Sequence, residues 1–293
     1  MKTLTMKLVI ILIVFAGFNS CIKKPVTPNN STGNGTNDTI IAEVSYGSDS
    51  KQVYDLYLPE NRDSTTPVIV MIHGGAWYGG QKEEMNSVVN KLRNKWPAAA
   101  IVNMNYRLAS NANNIHHDEM MEDIQSVIGD IISHKDDYQV STNMGIMGGS
   151  AGGQLSMIYA YNYNDFNNIK CVGNFFGPSI ISDWDWYNSN NIWLGGNVGE
   201  ILAEYVGQTW DAAVYDGVSP YWMVNANSQP TIIFHGTLDP IVPLYQSQWM
   251  RGRLNALGVT NEYYEYVAFH GLDDNQMNDA LNKLVPFFKT YLE

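Results

Sequence analysis

The chain has 293 residues, 45% of them hydrophobic, enough to bury one large core or two modest ones. It carries 17 Lys and Arg against 29 Asp and Glu, a net charge of −12 at neutral pH, and its basic residues do not cluster. A surface that tracks phosphates needs such clusters, so nucleic acid is excluded as a partner.

The first 21 residues, MKTLTMKLVIILIVFAGFNSC, set Lys2 and Lys7 before an apolar run from Leu8 to Phe18 and end at Cys21. The run is too short to span a bilayer comfortably and has the charge layout of an export signal. It resembles a bacterial lipoprotein signal, in which the cysteine is lipidated and becomes the mature N-terminus. Phe18 and Asn19 depart from the usual leucine-small-small approach to that cysteine, and a soluble secreted protein cut nearby is the alternative. Residues 22–39, polar with Pro, Gly, Asn and Thr, read as a flexible tether. The expectation is an exported bacterial protein, periplasmic or at the cell surface, whose membrane contact is a lipid anchor on Cys21. Cys171 is the one cysteine left for the folded part, so no internal disulfide is expected and it reads as a buried small hydrophobe.

From residue 40 to 293 no repeat or linker interrupts the chain, which predicts a single domain. IIAEVSYG and KQVYDLYLP alternate apolar and polar residues and predict paired antiparallel strands at an edge. PVIVMIH and AAAIVNMN are continuous apolar runs, as in strands covered on both faces. The stretch after His116 places Met121, Ile124, Ile128 and Ile131 at helical spacing, with acidic residues in its first turns. MGIMGG and NIKCVGNFFG predict strands flanking a helix from Ala151 to about Asn162. PTIIFHG predicts a strand, followed by a helix opened by Pro243 and stopped by Gly258. NEYYEYVAF predicts the last strand, and a closing helix carries Met277, Leu281, Leu284 and Phe288 on one face, with Pro286 expected to kink or restart it. This alternation predicts an α/β fold with a mainly parallel sheet and helices on both faces, whose ligands sit beyond the carboxyl ends of the strands.

Gly148-Gly149-Ser150-Ala151-Gly152 is G-x-S-x-G between a predicted strand and a predicted helix. A nucleophilic serine there sits on a sharp turn, where the positions two before and two after it face each other and a Cβ would clash. The turn also aims the Ala151 N–H at an oxygen of the group under attack. The alternative is a serine that merely caps a helix after a glycine-rich loop. His73-Gly74-Gly75 follows the strand PVIVMI, and the Gly74 and Gly75 amides are candidate donors to the same oxyanion. His73 reads as a brace for that loop and Trp77 as packing.

FHGTLDPIVP places Asp239 in the turn after another strand, and VAFHGLDD does the same for His270. The order Ser150, Asp239, His270 is that of a serine hydrolase triad on a parallel sheet. His270 would take the serine's proton and later return one, while Asp239 would fix its tautomer and stabilise the imidazolium. Asp216, Asp273 and Asp274 are rival acids.

With these residues in view the chain resembles an α/β-hydrolase esterase of the carboxylesterase and hormone-sensitive-lipase-like group, near the bacterial feruloyl and acetyl-xylan esterases. YDLYLP, HGGAW, NYRLA at 105–109, GGSAGG and HGTLDPIVP match in order, from about Tyr54 onward. The resemblance implies a serine esterase without metal or cofactor. One departure is the polar stretch ASNANNIHHDE after Leu108, which points to a differently lined pocket. The HHDE run at 116–119 reads as solvated residues at a helix start rather than a metal site, because consecutive helix residues do not share a face. Asp123 reads as a helix–loop brace.

Between FFGPS and VSPYWMV an insertion, about residues 178–220, is expected to cover the site as a small cap. Its Trp184, Trp186, Tyr187, Trp193 and Trp210 suit stacking on sugar rings or an aromatic acyl group, or else form the cap's own core. Trp77, Trp184, Trp186 and Trp193 are the candidate substrate contacts. The reading is an esterase releasing acetyl or feruloyl groups from plant-type polysaccharide through an acyl-serine, with short acyl chains preferred. A peptidase of prolyl-oligopeptidase type and a catalytically dead glycan-binding lipoprotein are the alternatives.

Overall fold

The computed structural model describes residues 36–293, so the expected signal at 1–21, the lipid site Cys21 and most of the expected tether lie outside the described residues. The strands are β1 (Thr39–Ser45), β2 (Val53–Leu58), β3 (Val68–Ile72), β4 (Ala100–Met104), β5 (Met144–Gly149), β6 (Ile169–Phe175), the two-residue β7 (Asn190–Asn191) and β8 (Gly196–Asn197), β9 (Thr231–Gly236) and β10 (Asn261–Tyr266). All but β7 and β8 belong to one sheet, in the order β1-β2-β4-β3-β5-β6-β9-β10. The β1–β2 and β2–β4 pairs are antiparallel and every later pair is parallel. This is the α/β-hydrolase fold that the motifs imply.

The apolar runs set the layers. In β3 every residue is buried, and the two-residue period sends Val68, Val70 and Ile72 to one core and Ile69 and Met71 to the other. One face is covered by α1 (Asn86–Lys95) and, from the chain's end, by a long helix described below. The other carries α2 (His117–Ser133), the single turn α3 (Lys135–Tyr138) and α4 (Ala151–Ile158), which continues into a π-helical turn at Tyr159–Tyr163. Between β6 and β9 the chain makes the expected insertion from short helices: α5 (Trp184–Tyr187), α6 (Val198–Val206), α7 (Ala212–Asp216) and α8 (Pro220–Met223). α9 (Leu244–Ala256) follows β9, and α10 (Asp274–Leu292) closes the fold.

Two expectations are corrected. Residues 36–39 are not free tether: the Thr36 hydroxyl accepts from Arg62 N, Arg62 donates to Asn37 O, and Asp38 pairs with Arg93. These ties are polar, so hydrophobic patterning could not announce them. Pro286 does not restart the last helix, which is continuous from Asp274 to Leu292. Leu284, Val285, Phe287 and Phe288 are buried around the proline, and their packing outweighs the one backbone hydrogen bond it removes.

α10 meets the sheet where β5 and β6 carry glycine. A Cβ on Gly145 would stand 2.6 Å from the Phe288 ring, so the ring fills the space a side chain would need. Phe288→Ala should empty that contact and destabilise the domain by about 3–5 kcal/mol. Urea unfolding checks this; a loss below about 1 kcal/mol would show that the helix is held elsewhere.

Candidate active site

Ser150 stands where β5 ends and α4 begins, at φ 54° and ψ −125°. Positive φ costs a residue with a Cβ roughly 1–2 kcal/mol, so the surroundings must hold it there. The Ser150 N–H donates to Phe175 O at 2.9 Å, and its carbonyl accepts from Gly153 and Gln154. A Cβ on Gly148 would lie 2.4 Å from the Gly152 carbonyl, and one on Gly152 would lie 2.2 Å from Ile72 O. Both positions therefore exclude any side chain, for the steric reason expected from the motif. Ser150 occupies the helix-capping position, but its hydroxyl makes no capping bond. It lies instead 2.8 Å from His270 Nε2.

His270 Nδ1 is 2.7 Å from Asp239 Oδ2. A carboxylate only accepts, so Nδ1 carries the proton and Nε2 is free to accept from the serine hydroxyl. The sheet brings the two loops together: Thr237 N donates to Tyr266 O and Leu238 N to Ala268 O, just beyond β9 and β10. Phe176 packs edge-on against the His270 ring, with centroids 4.9 Å apart. The Asp239 carboxylate is buried, and its Oδ1 accepts from the Ile241 and Val242 N–H groups at 2.8 and 3.0 Å. Burial opposes its ionisation, but the hydrogen bonds from His235 and His270 overcome this and hold the carboxyl well below the ordinary range. The rival acids stand elsewhere. Asp273 caps α10, Asp274 pairs with Lys91, and Asp216 ends α7.

The HGG loop lies against this corner. A Cβ on Gly74 would be 3.2 Å from Ser150 Cβ, so the Gly74 backbone passes directly beside the hydroxyl-bearing carbon. Gly75, Ala76 and Trp77 all have positive φ, which strains the two residues that carry a Cβ and which the sequence did not signal. Ala151 opens α4, so its N–H is among the first-turn donors that no helical carbonyl takes. His73 is buried and stacked on Tyr106, and its Nδ1 donates to Gly74 O at 2.6 Å.

The tryptophans divide. Trp77 and Trp186 are buried and line a small cavity at Ser150, together with Leu194, Val198, Leu202 and Ile241. Trp184, 53% exposed, stacks on Tyr187 and meets Trp210 edge-on in the cap's own aromatic cluster, and Trp193, 58% exposed, also lies off that cavity. Cap and core are joined by a buried polar network. Trp77 Nε1 donates to Gln154 Oε1, Gln154 Nε2 donates to Tyr205 OH, and His117 Nδ1 lies 2.7 Å from the same hydroxyl. This corrects the reading of the HHDE run as solvated. His117 lies one turn before Met121 on the buried stripe of α2, while His116 faces α6 through Glu204 O.

The polar stretch after Leu108 is corrected too. It closes on itself through the Ser110–Ile115 bridge, and its Asn113 and Asn114 line a separate polar cleft with Gln52 and Arg107. Asp123 is a buried brace, accepting from Arg107 and Gln52. Among the described residues one carboxylate group is close enough to hold a metal: Glu43, Asp55 and Glu83. The Lys82 ammonium already occupies its centre and bonds all three.

A family model described as BD-FAE matches residues 54–254, more than half of the chain. Esterase LipC of Mycobacterium tuberculosis is 25% identical over 251 residues, covering 78% of this chain and 59% of that protein. The chain thus spans about three fifths of that relative's length. A bifunctional GH43-CE protein of Bacteroides eggerthii is 20% identical with a TM-score of 0.70, covering 86% of this chain and 38% of that one. A truncated carbohydrate esterase from gut microbiota has the same identity and TM-score, covering 85% and 95%. At these identities the likeness to the solved structures is one of fold.

Burial lowers both His73 and His117 from the ordinary 6.5 to about 4, so each ring is neutral in the folded protein. Unfolded, each takes up a proton near pH 6.5. The stabilisation from each is therefore complete above that pH and is lost as pH falls from 6.5 towards 4. His117→Asn should lower the slope of unfolding free energy against pH, near pH 5, by about 1.4 kcal/mol per pH unit relative to wild type. Urea unfolding at stepped pH measures it; equal slopes would mean that the ring is charged in the fold.

Proposed function

The chain belongs to the BD-FAE family, and we propose that it is a serine carboxylic-ester hydrolase that removes small acyl groups, acetyl foremost, from plant-type polysaccharide. The observation that carries this reading is the unbroken hydrogen-bond line from Ser150 Oγ through His270 to Asp239. Ser150 Oγ attacks the ester carbonyl as its proton passes to His270 Nε2, and Asp239 stabilises the imidazolium that forms. The tetrahedral oxygen takes hydrogen bonds from the Gly74, Gly75 and Ala151 amides. As the intermediate collapses, His270 gives its proton to the departing sugar oxygen, which leaves as a hydroxyl with the acyl-serine behind it. The same base then activates the water that releases the acid.

Size supports acetyl over feruloyl. The apolar cavity at Ser150 has a volume of about 20 Å³. The tight part of the pocket beside the hydroxyl suits a methyl group, which favours a short acyl chain there. The polysaccharide part of the reading draws on the similar folds of a bifunctional GH43-CE protein and a carbohydrate esterase, and on the exposed cap tryptophans. The N-terminal residues support an exported lipoprotein anchored through Cys21.

Purified protein should release acetate from acetylated xylan, with little ferulate from feruloylated arabinoxylan, and should prefer nitrophenyl acetate to longer esters. Ser150→Ala should lose activity at least about 10³-fold and all fluorophosphonate labelling. Labelling that persists in that variant would displace the nucleophile, and faster turnover of long-chain esters would overturn the acetyl reading.

A further inference from the structure

The acid of the triad is held by a second histidine. His235, on β9, is fully buried, and its Nε2 lies 3.0 Å from Val242 O and 3.3 Å from Asp239 Oδ2. Both neighbours are acceptors, so Nε2 carries a proton. Its other nitrogen lies 2.7 Å from the hydroxyl of Ser247, a buried residue of α9. In the neutral ring Nδ1 accepts that hydroxyl, which fixes the Nε2–H tautomer and the ring's orientation.

Asp239 Oδ2 thus has two imidazole nitrogens beside it, and the first, His270 Nδ1, is hydrogen-bonded at 2.7 Å. The second is His235 Nε2, whose N–H is shared between Val242 O at 3.0 Å and a longer 3.3 Å contact with the carboxylate, while Oδ1 is occupied by the backbone. The charged groups facing His235 are Asp239 and, across the β9–β10 register, Glu265, while α9 offers the Ser247 hydroxyl. We propose that His235 and Ser247 are positioning residues for the hydrolysis, an outer pair that locks the Asp239 carboxylate so that Oδ2 holds His270 in register with Ser150. The inference rests on the esterase reading given above. Without the His235 donor, Oδ2 is held by His270 alone and sits less firmly, and its less shared negative charge favours a protonated His270.

The test compares four proteins on nitrophenyl acetate, with kcat taken per active site from fluorophosphonate titration and melting temperature measured alongside. His235→Phe keeps a ring and removes the donor. It should lower kcat about ten- to a hundredfold with KM little changed, and should move the acidic limb of kcat/KM to higher pH. His235→Gln, whose amide N–H reaches the ring's Nε2 position, should recover most of the rate. Ser247→Ala, a milder change that frees the tautomer, should lose less and in the same direction. Wild-type kcat per site and an unmoved limb in His235→Phe would overturn the proposal. So would His235→Gln no better than His235→Phe, or losses explained wholly by fewer titratable sites and a lower melting temperature. A wild-type protein that neither hydrolyses the ester nor labels would overturn the esterase reading itself, and this inference with it.

Discussion

Every part of the site depends on one strained corner. Ser150 holds a positive φ that its side chain disfavours, and the strain persists because the chain around it has nowhere else to go. Gly152 packs on the carbonyls of Ile72 and His73, Gly148 packs on Gly152, and the serine N–H is taken by Phe175. Those neighbours are the ends of β3 and β6, which flank β5 in a sheet covered on both faces. The corner is therefore rigid because three parallel strands end together beneath it. A helix begins above it, with first-turn N–H groups pointing where an oxyanion would form.

The cap is fastened to the same corner through groups that cannot be left unpaired. Gln154, one turn into α4, takes Trp77 from the HGG loop on its oxygen and gives its amide hydrogens to Tyr205 and Val218. Trp77 also stacks on Tyr205, with ring centroids 4.5 Å apart. On the other side, Trp186 donates to Ile241 O and Asn191 to Pro240 O, both in the turn that carries Asp239. Buried polar groups of this kind are costly to separate, so the cap's position is specified rather than merely allowed. The volume left for an acyl group follows from that seating.

The line of contacts behind Asp239 extends the same logic away from the substrate. Catalytic geometry at a hydroxyl is only as firm as the group that orients its base, and that base is oriented by a carboxylate in a turn. The turn's own amides bind one carboxylate oxygen, and buried side chains from β9 and α9 bear on the other. A turn thereby gains the rigidity of the helix and strand behind it.

Much of this was legible from the residues alone. Strand and helix order and the glycines about Ser150 follow from local sterics and periodicity, which act over a few residues and leave a mark in the spacing. The order Ser150, Asp239, His270 was legible through its resemblance to the α/β-hydrolase pattern. Tertiary structure decided what depends on distant partners. His117 and Pro286 look exposed or disruptive in their own segments, and only packing against Tyr205 or the sheet makes them buried and tolerated. His235 stands four residues before Asp239, but its part is visible only once α9 brings Ser247 to its far side. The tryptophans could not be sorted by composition, since whether an indole lines a cavity or fills the cap is set by the path of the chain between β6 and β9. Short-range geometry is written in neighbouring residues, whereas burial and partnership arise from the sum of contacts along the whole chain.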